Sequence, residues 1–413
     1  MSITSRLCLI VALLCSASDG VQAQELPPLQ LAGYGSLSVY RGNDAVAAVA
    51  PGPRNPGHSL DGQWRADGDS VLGLQLRWPA SDTVEAVWQV QASDELVTRY
   101  RPRTHWLYLG WQFSASWRLR AGRQPLPLLL DSENGKVGYA HTAIRPMPAV
   151  YSLNGANPTD ALTLSWTGQA WGGNLLLDLA TGRNTITLPR GRIEVKSSHM
   201  AALRWQREDL AVRMGLANFR YDLEDSGLAR QFAPLVQPGS VCSNCEERLS
   251  ARAPTRNIQG ALLTLALVWT PGPYEFTSEF TRRGGNSVFS SETSGWYAQL
   301  ARRQGNWTPF AALGETRYYE HPLGLVARAG APAAVQAGLD QLDRSLQSPF
   351  DRRIVLAGLR WDFAEGMAFK LQAERWSALR DRSTPRSGDI NLPPGQNWDG
   401  RVQLLSASLD FVF

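Results

Sequence analysis

The last residues of the chain constrain its fold more than any other segment. Counting back from the end, Phe413, Phe411, Leu409, Ala407 and Leu405 are apolar, and all but one of the residues between them are polar. Alternation with a period of two predicts a β-strand with one apolar face. Such a strand fits either the edge of a soluble sandwich or the closing strand of a barrel.

The first 23 residues have the pattern of a secretory signal peptide. Arg6 supplies a positive charge, Leu7–Cys15 is apolar, and Val21–Ala23 offers a cleavage site with small residues. We therefore expect a mature chain that begins at Gln24 and works outside the cytoplasm, which removes cytoplasmic enzymes from consideration.

Segments with a period of two recur along the whole mature chain, and sixteen of them can be counted. Seven of the connections are tight turns, and eight are longer and polar. The longer ones occupy about 42–69, 93–103, 124–160, 182–197, 221–256, 284–292, 318–348 and 379–397. This alternation is typical of a transmembrane antiparallel β-barrel with short periplasmic turns and long extracellular loops. The predicted fold is thus all-β, a barrel of about sixteen strands over residues 24–413.

The composition agrees with strands that cross a membrane. The mature chain has no run of the roughly 18 to 20 apolar residues that a membrane helix needs. Its most apolar segment, Gly260–Trp269, has the length of a tilted membrane strand. The 15 Trp and 11 Tyr suit aromatic belts at the two membrane interfaces. A net charge of +4 is too small to indicate nucleic-acid binding.

One region is more specific than the general layout. It contains Arg118–Arg123, Pro125–Pro127, Val137–Ala140, Arg145-Pro146 and Tyr151. It resembles the arginine-rich strand and long third loop of Gram-negative general porins. The resemblance implies an integral outer-membrane barrel that forms a homotrimer, with a third loop (about 124–160) folded into the lumen to narrow it. The third loop here carries fewer acidic residues than the best-known pattern of that family.

Charges that line a water-filled lumen, together with its width, set what can pass. Because apolar residues must face lipid, parity along each strand assigns the residues between them to the lumen. The basic residues assigned to the lumen are Arg77, Arg118, Arg120, Arg204 and Arg213. The acidic residues expected to face them are Glu85 on a strand and Asp131, Glu133 and Asp160 on the third loop. Opposed charges across a narrow aqueous gap create a transverse field; alternatively, the arginines only brace the wall and the loop acids stay in solvent.

Two further pairs of residues bear on function. Trp106 and Tyr108 face the lumen by parity, which favours a substrate-specific channel for anions or sugars. Cys242 and Cys245 are the cysteines that remain after cleavage of the signal peptide, with no second CxxC and no nearby His. We predict that they form a disulfide, because the cell envelope is oxidising.

No arrangement of residues predicts catalysis. The sequence has no G-x-S-x-G motif, no H-E-x-x-H motif and no calcium-loop spacing. We therefore predict no catalytic residues, no cofactor and no metal. The favoured function is a porin for passive diffusion of small hydrophilic solutes and ions, with outer-membrane lipid and lipopolysaccharide as neighbours. The alternatives are a substrate-specific channel, a plugged barrel that acts as an adhesin or structural protein, and a secreted soluble β-protein.

Overall fold

Sixteen long antiparallel strands form one closed sheet in the described part of the chain. The structure is a computed structural model that describes residues 28–49, 58–95, 97–153, 158–319, 321–346, 351–379, 386–387, 390–391 and 399–413. The strands are β1 Gln30–Val49, β2 Val71–Trp78, β3 Val84–Ser93, β4 Arg103–Gln112, β5 Trp117–Gln124, β6 Thr159–Ala170, β7 Gly173–Leu188, β8 Gly191–Arg207, β9 Leu210–Asp225, β10 Ile258–Trp269, β11 Tyr274–Gly285, β12 Thr293–Arg302, β13 Trp307–Tyr318, β14 Arg352–Ala364, β15 Met367–Ala378 and β16 Arg401–Val412. Short strands at His58–Asp61, Arg386–Ser387 and Ile390–Asn391 add to the far end of β1. The predicted signal peptide, residues 1–23, lies outside the described residues.

The sheet closes between β1 and β16. β1 pairs with β2 on one side and with β16 on the other. The backbone of Phe413 continues this pairing, with hydrogen bonds of 3.0 Å and 2.9 Å to and from Gly33. The rings of Phe413 and Phe411 cover Gly33 and Gly35, so that a Cβ added at Gly33 would lie 2.2 Å from the Phe413 ring. The prediction of a closed barrel of sixteen strands is confirmed.

The outer face of the barrel is apolar. On β4, for example, Leu107, Leu109 and Trp111 are each more than half exposed, and their neighbours in the sequence point inward. Tryptophans gather on this face near the short turns. They are Trp78, Trp111, Trp117, Trp166, Trp171, Trp205, Trp269, Trp307 and Trp361. This arrangement matches the aromatic girdle of a membrane barrel. None of the described helices is long and apolar enough to cross a membrane.

The expectation of a long polar loop at 182–197 was wrong. β7 (Gly173–Leu188) and β8 (Gly191–Arg207) continue through it as a tall hairpin in which Ile186 lies opposite Ile193. The alternation of apolar residues persists there, but charged and hydroxyl residues lower the average hydrophobicity and suggested a loop. The wall therefore rises higher here than predicted.

A small helical layer lies at the long-loop end. It contains α2 Ser226–Phe232, α3 Cys245–Arg252 and α4 Ala333–Leu346, whereas the short helix α1 Pro148–Tyr151 belongs to the third loop. Buried residues of the fifth, sixth and seventh loops pack together in this layer. They are Cys242, Cys245, Leu249, Ala253, Val288, Leu323, Leu325, Leu339 and Leu346. A disulfide joins Cys242 to Cys245, the first residue of α3.

Candidate functional site

The third loop, residues 125–158, packs inside the barrel over its described part. Ala149 and Val150 of this loop have no exposed surface. They belong to an apolar cluster with inward-facing residues of β12 to β15. These are Tyr297, Ala301, Phe310, Ala312, Ile354, Leu356 and Trp376. Near its start, Leu126 and Leu128 pack against the inner faces of β6, β7, β8 and β10. The loop thus covers a large part of the inner wall.

A buried lysine holds the middle of the third loop against β15 and β16. Lys370 is completely buried and donates to the carbonyl oxygens of Gly138 at 2.7 Å and Ala143 at 3.0 Å. Its ammonium also pairs with Asp410 at 2.9 Å. A Cβ at Gly138 would lie 2.2 Å from the Ser36 hydroxyl, so only glycine permits this close approach.

Two arginines add further anchors. Arg145 of the loop pairs with Asp69 of the first loop at 2.6 Å and with Glu374 of β15. Burial alone would lower the pKa of the Arg145 guanidinium, but the two carboxylates raise that pKa above its ordinary value. Arg360 of β14 donates to two backbone carbonyls of the loop, each at 2.8 Å. Buried charges are costly unless they are paired, so these contacts favour one fixed position of the loop.

Asp131 has a different partner from the one predicted. Its carboxylate lies 3.2 Å from the hydroxyl of Tyr151, which donates to Glu279 of β11 at 2.7 Å. His141 Nδ1 lies 3.6 Å from the same carboxylate. Burial and the two nearby carboxylates raise the pKa of Tyr151 well above its ordinary value. Asp131 therefore helps to anchor the loop, and no ion pair joins it to an arginine of the opposite wall among the described residues.

Opposed charges do meet at the start of the third loop. Glu133 of the loop lies 3.3 Å from Arg120 of β5. Closer to the short turns, Glu85 of β3 pairs with Arg77 at 2.6 Å and with Arg118. Parity had assigned Arg77, Glu85, Arg118 and Arg120 to the lumen, and they lie on the inner side of neighbouring strands. Glu133 was expected on the third loop, and it lies there.

Arg204 and Arg213 lie opposite each other on β8 and β9. Arg213 donates to the carbonyl of Pro127 in the third loop, and Arg204 donates to Gln206 at 2.9 Å. Together with Arg118 and Arg120 they line a cavity of about 280 Å³. A second cavity of about 410 Å³ extends toward the short turns and shares Arg204 and Arg213.

The smaller cavity contains one acidic residue that was not predicted. Asp178 of β7 lines it and accepts a hydrogen bond from Ser165 at 2.5 Å. Leu177 and Leu179 flank Asp178 in the sequence, so the parity rule applied to β7 would have found it.

Asp160 does not lie on the third loop, and this prediction was wrong. It belongs to β6 and faces outward with Leu162, where it pairs with Arg123 at 2.8 Å. The loop ends before Asp160, and strand parity then turns its side chain away from the lumen.

The two predicted lumen aromatics lie on the inner side of β4. The guanidinium of Arg120 lies 5.9 Å from the centre of the Tyr108 ring, a cation–π distance. Trp106 lies opposite Gln89 of the neighbouring strand β3. No group of three or more metal-ligating side chains occurs in the part of the chain that the structure describes.

Comparisons with known proteins bear on the fold. No protein-family model and no curated protein sequence matches the chain. Solved structures do match over nearly the full length. OmpF of Salmonella typhi in complex with daunomycin has 9% identity and a TM-score of 0.55, covering 93% of this chain and 97% of that chain. The trimer form of OmpT, an outer-membrane protein of Vibrio cholerae, has 10% identity and a TM-score of 0.53, covering 94% and 100%. An anion-selective porin from Comamonas acidovorans has 10% identity and a TM-score of 0.51, covering 94% and 99%. The chain therefore has the architecture of an integral outer-membrane β-barrel.

Proposed function

We propose that the protein is a narrow, water-filled channel for passive diffusion of small hydrophilic solutes and ions across the outer membrane. The observation that carries this proposal is the pair of polar cavities inside a barrel with an apolar outer face. Arg118, Arg120, Arg204 and Arg213 line one side of the smaller cavity, and Glu133 of the third loop approaches from the other. A field between such groups orders water and orients dipolar solutes.

The third loop makes the path narrow and displaces it to one side. A barrel of sixteen strands is wide enough to leave an aqueous channel when side chains alone line it. Here the loop packs most closely against the inner faces of β13 to β15, so the path runs along the remaining arc, where β4 to β9 line the smaller cavity and β8 to β12 line the larger one. We expect a smaller conductance than that of a barrel whose third loop occupies less of the lumen.

We also propose a homotrimer. The Vibrio cholerae OmpT structure is described in trimer form, which supports this assembly. Leu31 and Leu37 of β1 are among the most exposed large apolar residues of the outer face. A neighbouring copy or lipid acyl chains can cover such a surface.

Single-channel recording in a planar bilayer with a salt gradient tests the channel. We expect stepwise openings in groups of three. Arg120→Gln removes a positive charge from the gap and should shift the reversal potential toward cations, while Arg230→Gln on the exposed helix α2 should not. Equal reversal potentials for the two variants would show that Arg120 does not line the ion path.

A plugged barrel is the second candidate, and the extensive packing of the third loop favours it. Inserted protein that shows the folded electrophoretic mobility but carries no current would support this candidate against the channel. A saturable current with one class of anion or sugar would instead favour a substrate-specific channel, in which Tyr108 beside Arg120 contacts the solute.

A further inference from the structure

Two arginines lie side by side on the inner wall without an acidic partner. Arg204 of β8 lies directly opposite Arg213 of β9, and both side chains line the two cavities. Like charges that lie directly opposite each other destabilise a sheet. No ion pair within the described ranges includes either arginine. An anion between the two guanidinium groups would remove this repulsion.

The neutral contacts of these arginines leave their charges uncompensated. Arg204 donates to the side-chain oxygen of Gln206 at 2.9 Å, and Arg213 donates to the carbonyl of Pro127. The Nε of Arg213 is buried and has no hydrogen-bond partner in the described part of the chain. A buried donor without a partner is unfavourable, and guanidinium donors suit the oxygens of a carboxylate or a phosphate. The pair therefore offers donors to an oxyanion.

The other arginines that line the cavities already have carboxylate partners. In the smaller cavity, Arg120 pairs with Glu133 at 3.3 Å, and Arg118 pairs with Glu85. In the larger cavity, Arg145 is held by two carboxylates. The unpaired positive charge of the described cavities is thus concentrated on β8 and β9, apart from the arginine-rich strand β5.

One carboxylate lies near the pair but does not neutralise it. Asp178 of β7 is two positions from Leu176, which lies opposite Arg204, so Asp178 and Arg204 are diagonal neighbours on the inner face. The Asp178 carboxylate accepts a hydrogen bond from Ser165 at 2.5 Å, and no ion pair among the described residues includes it. A negative charge in this position repels an incoming anion without occupying its site.

We propose that Arg204 and Arg213 form a subsite that binds one carboxylate or phosphate group of a small organic solute, and that Asp178 limits the affinity. The smaller cavity, at about 280 Å³, is close to the lower end of the size range of small-molecule sites. A channel needs binding that is favourable enough for entry and weak enough for release. Asp178 provides the second condition. This inference names the solute class of the channel proposed above and rests on that channel for the route to the site.

Saturation-transfer NMR on the refolded protein in a nonionic detergent measures binding without any current. The probes are gluconate, glucose 6-phosphate and glucose, which have similar carbon skeletons and differ in charge. We expect saturation transfer to the two anions, with competition by inorganic phosphate, and little transfer to glucose. The stronger of the two anion signals shows whether a carboxylate or a phosphate is preferred. Transfer to glucose as strong as to the anions would overturn the proposal, because the site would then lack charge selectivity.

Three variants locate the site. The double variant Arg204→Gln/Arg213→Gln should bind both anions at least about tenfold more weakly, because it loses charge-assisted hydrogen bonds. Asp178→Asn can keep the hydrogen bond from Ser165 and should bind the anions about threefold more tightly, because it removes a repulsive charge. Arg230→Gln, on the exposed helix α2, is the matched control and should bind normally. Heat-modifiable electrophoretic mobility shows that each variant is folded.

Unchanged binding in the double variant, or an equal loss in Arg230→Gln, would overturn the subsite. If Asp178→Asn binds the anions no more tightly than the original protein, the role of Asp178 is wrong. Single-channel recording judges the channel separately. A barrel that carries no current but binds the anions would contradict the channel and not the binding site, whereas a conducting barrel whose double variant binds the anions normally would contradict the subsite alone.

Discussion

The buried pair between Lys370 and Asp410 makes a sharp prediction about how the third loop is held. Replacing Lys370 with Met keeps most of the side-chain volume but removes the ammonium. Asp410 Oδ2 would lose the ammonium at 2.9 Å and keep only the hydrogen bond from the Ser408 hydroxyl at 3.1 Å, and the carbonyls of Gly138 and Ala143 would lose their donor. The other oxygen of Asp410 is already buried without a hydrogen bond, so the carboxylate has little left to stabilise it.

The size of the effect follows from the burial of both partners. Breaking a buried ion pair by removing one member costs about 3–5 kcal/mol, because the remaining charge is left uncompensated. Lys370→Met should lower the free energy of unfolding by that amount. Adding Asp410→Asn removes the unpaired buried charge. The double variant should therefore lose less free energy of unfolding than the sum of the losses in the two single variants. We expect a coupling energy of about 2–3 kcal/mol.

Urea unfolding followed by tryptophan fluorescence measures all four members of this cycle. Folded samples are first checked by electrophoretic mobility with and without heating. A loss below about 1 kcal/mol in Lys370→Met, or additive effects of the two substitutions, would refute the view that this pair anchors the loop.

Three other substitutions test separate contacts. Gly138→Ala should lower the free energy of unfolding by about 1–3 kcal/mol in the same urea experiment, because the new Cβ has no room. Gly338→Ala in α4, where no atom lies within 4 Å of the new Cβ, should raise it by about 0.5–1 kcal/mol. Gly33→Val should push away the aromatic ring at the closing seam and abolish the heat-modifiable band, and a normal band would show that the seam tolerates a side chain. Replacing Cys242 and Cys245 with Ala opens a very short loop and should lower the local stability of the helical layer by about 2 kcal/mol, measured by hydrogen exchange, with no change in the urea midpoint of the barrel.

The barrel could be predicted because its strands obey one simple rule. A membrane strand has lipid on one side and a lumen on the other, so alternation in the sequence reports both faces. The same rule placed Arg118, Arg120 and Glu85 on the inner side. It was not applied to Asp160, because the end of the third loop leaves no mark in the composition and the loop was extended two residues into β6.

Other features depend on contacts between distant segments. The apolar inner faces of β13 and β14, with Phe310 and Ile354, make sense only once the third loop covers them. Helix α4 was not predicted, although its apolar residues have helical spacing and pack in one cluster; they are Val335, Leu339, Leu342 and Leu346. That helix lay within a connection described only as long and polar. The anchors of the third loop, such as Asp69 with Arg145, join residues far apart in the chain and leave no local pattern.

The third loop packs most closely against β13 to β15, so that arc of the barrel is dry on its inner side. Cavities adjoin the inner faces of β4 to β12 instead, and we expect them to hold water. Backbone amides of the dry arc should exchange with deuterium more slowly, although the hydrogen-bond ladder is continuous around the ring. A solute that enters the lumen would follow an off-centre path along the hydrated arc of the wall. Substitutions could widen this path only on that arc, because packed protein fills the other side.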